Sequence, residues 1–381
     1  MSFAAFRSLA LFGASALAQQ YAGETIPNTL PAVYGAELAY FRISDPAGAN
    51  TATLLNYQSL GSDGQRLKES NIERAVIIIH GQLRDANDYF YVAANALATA
   101  DPALGPTKDN VAIISPMFTN EKDQGTAYPY GESNALAWTG AEWAYGRNNI
   151  YPAYSTNTSS FHVLDEIVAY YQDETLFPNM HEVVVAAHSM GAQLVQRYAA
   201  LTAVSSSDRV KVTFWPSDPN SYVWLSNARP SGPFVDCPTY DNYPEGFSNY
   251  AADNQQYAAA LVAAGPEALQ ANYQSKQISY LRSTKDQGDY TITGCGAYSS
   301  GPDRDVRFLN FMNMFPPACD NVAGGNCDTV DYVEEGHDAD AAALSQPGMS
   351  RLFYDNFKGQ NDRAFDFGPR RTTGDSPFPG Q

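Results

Sequence analysis

The sequence predicts an α/β fold, a mostly parallel central sheet with helices on both faces and a cap-like insertion. Three observations carry this. Strand-length apolar runs alternate with amphipathic helical stretches along most of the chain, the pattern of parallel strands joined by helical crossovers. The runs at 75–79 and 183–187 are apolar at every position, as strands buried on both faces are. At Ser189 a strand pattern passes straight into a helical one, and the residues two positions away, Ala187 and Gly191, are small. Such a joint is a sharp strand-to-helix turn, which needs small neighbours and presents the serine hydroxyl to the first helical N–H groups.

Taken in order, residues 1–18 read as a secretory signal peptide. Arg7 supplies the positive start, 8–16 is an apolar stretch too short to span a bilayer, and 16–18 is an A-x-A cleavage site. The mature chain is then expected to begin at Gln19, be secreted, and form a single domain over 19–381. Residues 19–35, polar and proline-containing, suggest an extended arm. Strands at 37–43 and 51–57 form an antiparallel edge. The buried strand 75–79 runs into His80 and Gly81, followed by a helix over about 85–100 and a strand at 111–118. The loop 119–159 is rich in Gly, Asn and aromatics. Trp138, Trp143, Tyr128, Tyr130 and Tyr145 within it either line a pocket or form the loop's own small core. A helix at 161–171 leads to the strand before Ser189, and Met190, Leu194, Tyr198 and Leu201 share one face of the helix after it. A strand at 210–215 precedes an irregular insertion, about 217–275, with an Ala-rich helix near 257–264. Strands at 278–282 and 330–334, a helical stretch at 339–357 and a polar tail over 359–381 complete the chain.

Composition narrows the function classes. Lys+Arg number 23 against 41 Asp+Glu, a formal charge of −18. Such a surface repels polyanions and argues against a nucleic-acid partner. No segment beyond the leader is long and apolar enough for a transmembrane helix. Four cysteines in a secreted chain point to two disulfides. Three pairings are possible; the expected one joins Cys319 and Cys327, which flank a flexible turn able to close a small loop, and leaves Cys237 for Cys295. Zinc is the runner-up, but CxxC and HxxxH spacings are absent, as is H-E-x-x-H, so neither metal nor cofactor is expected. Asn157-Thr158-Ser159 is an N-glycosylation sequon in a polar loop. Oligomeric state is left open.

The spelling Ala187-His188-Ser189-Met190-Gly191, on a strand-to-helix turn, resembles the nucleophile elbow of the α/β-hydrolase superfamily and is similar to that of some small secreted lipases. The likeness spans most of 70–355. It implies a nucleophile, an acid and a histidine in that chain order. Of the five histidines only His337 follows Ser189, just past an apolar strand and preceded by Gly336. His337 is therefore the expected base. His188 has a supporting place, and His162 and His181 are expected at the surface. His80-Gly81 resembles the family's oxyanion loop, with the backbone N–H groups of Gln82 and Met190 as expected donors. For the acid, Asp286 is preferred, because the family most often places it beyond the strand after the insertion. Asp218 and Asp289 are the alternatives.

The resemblance implies a serine hydrolase that cleaves a small-molecule or lipid-like carboxylic ester through an acyl-enzyme. Peptidase, amidase or acyltransferase chemistry would use the same residues. A non-catalytic binding domain of this fold would have no need of the serine and histidine.

Overall fold

Strands that are apolar at every position are stable only in a sheet covered on both faces. The computed structural model has that arrangement and describes residues 20–21, 28–46, 51–130, 134–230, 236–251, 256–286, 288, 294–317 and 328–357. The expected signal peptide, the 359–381 tail, Asp289 and the expected Cys319–Cys327 bridge lie outside the described residues.

In chain order the strands are β1 (Gln20–Tyr21), β2 (Ala36–Ser44), β3 (Thr51–Ser59), β4 (Arg74–Ile79), β5 (Val111–Pro116), the short pair β6 (Thr119–Asn120) and β7 (Ala137–Trp138), β8 (Glu182–His188), β9 (Lys211–Ser217), β10 (Gln277–Ser283) and β11 (Thr329–Val333). The helices are α1 (Ala86–Thr99), α2 (Ser160–Gln172), α3 (Met190–Leu201), α4 (Ala259–Ala263), α5 (Pro266–Gln274), α6 (Cys295–Tyr298), α7 (Arg304–Met314), α8 (Ala339–Leu344) and α9 (Gln346–Met349). Among the described residues the main sheet has nine strands in the order β1-β2-β3-β5-β4-β8-β9-β10-β11. β1, β2 and β3 form the antiparallel edge, and β5 onward is parallel.

The period-2 alternation of strand side chains sorts the core into two layers. Ala75, Ile77, Ile79, Val183, Val185 and Ala187 face Leu164 and Ile167 of α2 and Leu194 and Tyr198 of α3. Val76, Ile78, Val184 and Ala186 face Phe90 and Ala93 of α1 and, from the C-terminal region, Ala343 and Leu352. The chain leaves β4 toward β5 on one side and returns from β5 to β8 on the other, so strand order reverses between β4 and β8. That reversal opens a crevice at the carboxyl ends of the strands. The β4–β8 register pairs Ile79 with Ala187, which sets His80-Gly81 and His188-Ser189 side by side at its mouth.

Several elements differ from expectation. The 339–357 stretch is not one helix, because Ser345 caps a new start and Pro347 stands in its first turn. The insertion holds two helices, with Gly265 at φ 94° and Pro266 breaking the chain between them. Its described part lies along α3: Arg197 donates to the Pro244 carbonyl at 3.2 Å, and Asn272 to that of Ala200 at 2.9 Å. A Cys237–Cys295 disulfide ties it to α6. α7 had no counterpart in the sequence reading, although Phe308, Phe311, Met312 and Phe315 have helical spacing and are buried. Trp138, Trp143 and Tyr128 are core residues, Trp143 stacking on Phe118 at 6.0 Å, while Tyr130 is exposed. Asn157 is exposed.

Candidate active site

Ser189 has φ 63° and ψ −125°, a positive-φ conformation that costs a non-glycine residue about 1–3 kcal/mol. Packing holds it there. Its N–H donates to the Ser217 carbonyl at 3.0 Å, across to β9. Below the turn a Cβ on Gly191 would stand 2.5 Å from the His80 carbonyl oxygen and 2.8 Å from that of Ile79. Ala187 is tolerated because Gly191 is opposite it: the same added Cβ would lie 3.0 Å from the Ala187 methyl.

His337 follows β11 by four residues and reaches back across β10 and β9. Its Nε2 lies 2.8 Å from Ser189 Oγ and its Nδ1 2.8 Å from Asp286 Oδ2. A carboxylate accepts only, so the ring proton is on Nδ1 and Nε2 is free to accept the serine O–H. The His337 side chain is 31% exposed, which leaves the site open to substrate.

Among the described carboxylates, Asp286 is the one bonded to His337. It follows β10, which pairs with β11, so the two residues leave adjacent strands. Asp218 leaves β9 and is fully buried elsewhere. It accepts from Arg282 at 2.9 Å, from the Ser283 N–H at 2.7 Å and from the Ser283 hydroxyl at 2.6 Å. Asp286 is clamped by two guanidiniums. Arg304 donates to Oδ1 at 2.8 Å and Oδ2 at 3.0 Å, and Arg282 to Oδ2 at 3.0 Å. Burial pushes the Asp286 carboxyl up, but the His337 bond and the charges of Arg282 and Arg304 outweigh it and hold it well below the usual carboxylate range. The sequence reading missed both arginines. Arg282 is four residues before Asp286, a visible spacing, whereas Arg304 comes from α7.

His188 packs its ring against that of His337, centroids 4.3 Å apart. Burial lowers its pKa to about 4, with Asp218 opposing, so it stays neutral beside His337. His80 is likewise lowered to about 4 by burial. Its Nε2 accepts the Phe118 N–H at 3.0 Å, so its proton is on Nδ1, which donates to the Gly81 carbonyl at 3.0 Å. In a planar trans peptide the C=O and the next N–H point oppositely. Holding the Gly81 carbonyl against His80 therefore turns the Gln82 N–H away from that ring. The same carbonyl accepts the Arg84 N–H at 3.2 Å, and Arg84 is bound to Asp123 at 2.6 Å, which braces the loop. Met190 opens α3, where N–H groups lack helical partners. Leu83, beside Gln82, is 79% exposed and offers an apolar surface next to the site.

Among the described residues no group of His, Cys, Asp and Glu has the arrangement of a metal site, and no helix is long and apolar enough to cross a membrane. No protein-family model matches the chain, and no curated protein matches it by sequence. Solved structures do match its shape. The poly(3-hydroxybutyrate) depolymerase LpqC of Bordetella parapertussis superposes with a TM-score of 0.52 at 15% identity, over 84% of this chain and 94% of that one. Poly(aspartic acid) hydrolase-1 of Sphingomonas sp. KT-1 gives 0.51 at 15% identity, over 84% and 100%. At this identity the likeness concerns the fold, and the fold is that of the α/β-hydrolases.

Proposed function

We propose that this chain is a secreted serine hydrolase that cleaves a carboxylic ester through an acyl-enzyme on Ser189. The observation that carries the reading is the unbroken relay from Ser189 Oγ to His337 to Asp286, each step 2.8 Å. His337 Nε2 takes the hydroxyl proton as Oγ attacks the ester carbonyl carbon. The N–H groups of Gln82 and Met190 hold the developing oxyanion, and Asp286 stabilises the imidazolium. Collapse expels the alcohol, which takes its proton from His337. Water then attacks the acyl carbon, giving a proton to Nε2, and the carboxylic acid leaves as Ser189 regains its proton. None of these steps calls for a cofactor. Secretion is supported by the N-terminal sequence and the Cys237–Cys295 disulfide. Leu83 supports an apolar substrate group near the carbonyl.

The test is a fluorophosphonate probe together with a panel of esters of graded acyl length and matched amides. Ser189 is expected to be the labelled residue, and Ser189→Ala to lose turnover by several orders of magnitude. Labelling at another residue with full activity in the alanine variant overturns the assignment. Faster turnover of the amide than of its matched ester overturns the ester reading alone.

A further inference from the structure

Beside Ser189 stands a polar pair that the reaction above does not use. Gln193 lies one turn along α3, its N–H donating to the Ser189 carbonyl at 3.3 Å. Helix side chains lean toward the N-terminus, so Gln193 leans over the turn that carries the nucleophile. Glu245 comes from the insertion. We propose that Gln193 and Glu245 together bind a hydroxyl group of the substrate beside the scissile ester, so that the preferred substrates are hydroxylated esters. The inference deepens the proposed function and rests on Ser189 being the nucleophile.

Two donors set the orientation of both side chains. Arg197 Nη2 lies 3.1 Å from Gln193 Oε1 and 3.7 Å from Glu245 Oε1. Ser221 Oγ lies 3.3 Å and 3.1 Å from the same two atoms. Arg197 is fully buried and fixed by its own bonds, donating to the carbonyls of Ala144 and Pro244 at 3.2 Å each. A guanidinium only donates, so the Gln193 atom that faces it is the oxygen, and turning the amide over would set N–H against N–H. Each forked group is then left with one outer atom, the donor Nε2 of Gln193 and the acceptor Oε2 of Glu245. Neither has a hydrogen-bond partner among the described residues, and neither is sealed from solvent. The Glu245 side chain is 21% exposed, enough for a ligand to reach it.

The surroundings place this pair at the active site. Ser221 comes four residues after Ser217, whose carbonyl holds the Ser189 N–H. Asn220, next to Ser221, accepts from Arg304 at 3.2 Å, and Arg304 clamps Asp286. The loop that carries Ser221 therefore borders both the nucleophile and the acid. A free donor beside a free acceptor matches a group that both accepts and donates. A hydroxyl does both, whereas an ether or ketone oxygen serves Gln193 alone and an ammonium serves Glu245 alone. A methylene in its place would cover the two atoms and leave them unpaired. The chemistry is the same for a hydroxyl on the acyl chain and for one on the alcohol, and the test separates the two.

The experiment measures kcat/KM for two matched pairs: ethyl 3-hydroxybutanoate against ethyl butanoate, and glyceryl monobutanoate against propyl butanoate. Wild type is expected to favour the hydroxylated member of one pair by about tenfold or more. Gln193→Glu keeps an acceptor for Arg197 and loses the outer donor, and Glu245→Gln loses the outer acceptor. In each the preference is expected to shrink to a few-fold. The double variant Gln193→Glu/Glu245→Gln exchanges donor and acceptor, which a hydroxyl meets by turning round, so it is expected to recover most of the preference. A purely structural role would slow both members of a pair alike and give no such recovery. Either single variant suffices where the other fails to fold. A wild type that favours neither hydroxylated ester or cleaves none of the four, a preference that both single variants keep, or a double variant without recovery overturns the proposal. Fluorophosphonate labelling of Ser189 in the same preparation then leaves the catalytic reading standing, and failure of wild-type Ser189 to label overturns both.

Discussion

Gly191→Ala tests whether the strained turn at Ser189 is held by packing from beneath. The added Cβ would meet the carbonyl oxygens of His80 and Ile79 at 2.5 and 2.8 Å, where about 3.5 Å is a comfortable non-bonded distance for carbon. Both oxygens are backbone at the end of β4, so neither escapes by a rotamer change, and one must retreat by close to 1 Å. Overpacking of this kind costs about 1–3 kcal/mol, against which alanine recovers up to about 1 kcal/mol over glycine in a helix. A net loss of about 1–2 kcal/mol is expected from urea denaturation. Turnover suffers more. The displaced peptides lead into Gly81 and the Gln82 N–H, and a misplacement of about 1 Å in such a group costs on the order of 10²-fold. Ala187→Gly removes only the third contact, the one at 3.0 Å. The double variant Ala187→Gly/Gly191→Ala is therefore expected to remain as impaired as the single one. A Gly191→Ala protein with wild-type stability and turnover, or restoration by Ala187→Gly, refutes the reasoning.

Asp286→Asn is expected to lower ester turnover by roughly 10⁴-fold with the fold retained, since Arg282 keeps Asp218 and Asp305 as partners. Asp218→Asn acts on the other quantity: breaking a buried ion pair costs about 3–5 kcal/mol, so its melting temperature falls while turnover per active site, counted by probe titration, changes far less. A crippled but stable Asp218→Asn would reverse these roles. Stability itself is expected to fall as pH drops from about 6.5 to about 4. His80 and His188 are held neutral by burial down to about 4, whereas in the unfolded chain they take up protons near 6.5. In that window the unfolded state binds more protons, and the loss amounts to a few kcal/mol in urea midpoints measured across it. His80→Gln should flatten part of the slope, and a flat wild-type profile would contradict the burial argument.

The features legible in the sequence are those that neighbours along the chain decide. An uninterrupted apolar run at 183–187 has no stable place except inside a covered sheet, and small residues at 187 and 191 are what a sharp turn at Ser189 demands, so the fold class and the turn at Ser189 were both readable. The placing of His337 beside Ser189 was readable because, under the resemblance, a histidine follows the serine, and no other histidine does. The carboxylate was a different matter. Asp286 and Asp218 both follow apolar strands, and nothing local separates them. The sheet order does, by placing β10 beside β11 and turning Asp218 into Arg282. The same holds for His80, whose tautomer is set by a Phe118 N–H donated from the loop after β5, and for Arg304, brought to His337 by a helix whose apolar spacing went unread. Backbone patterns follow from steric and burial rules acting over a few residues. Which charge meets which is decided by strand order and register, and these emerge only when the whole core has packed.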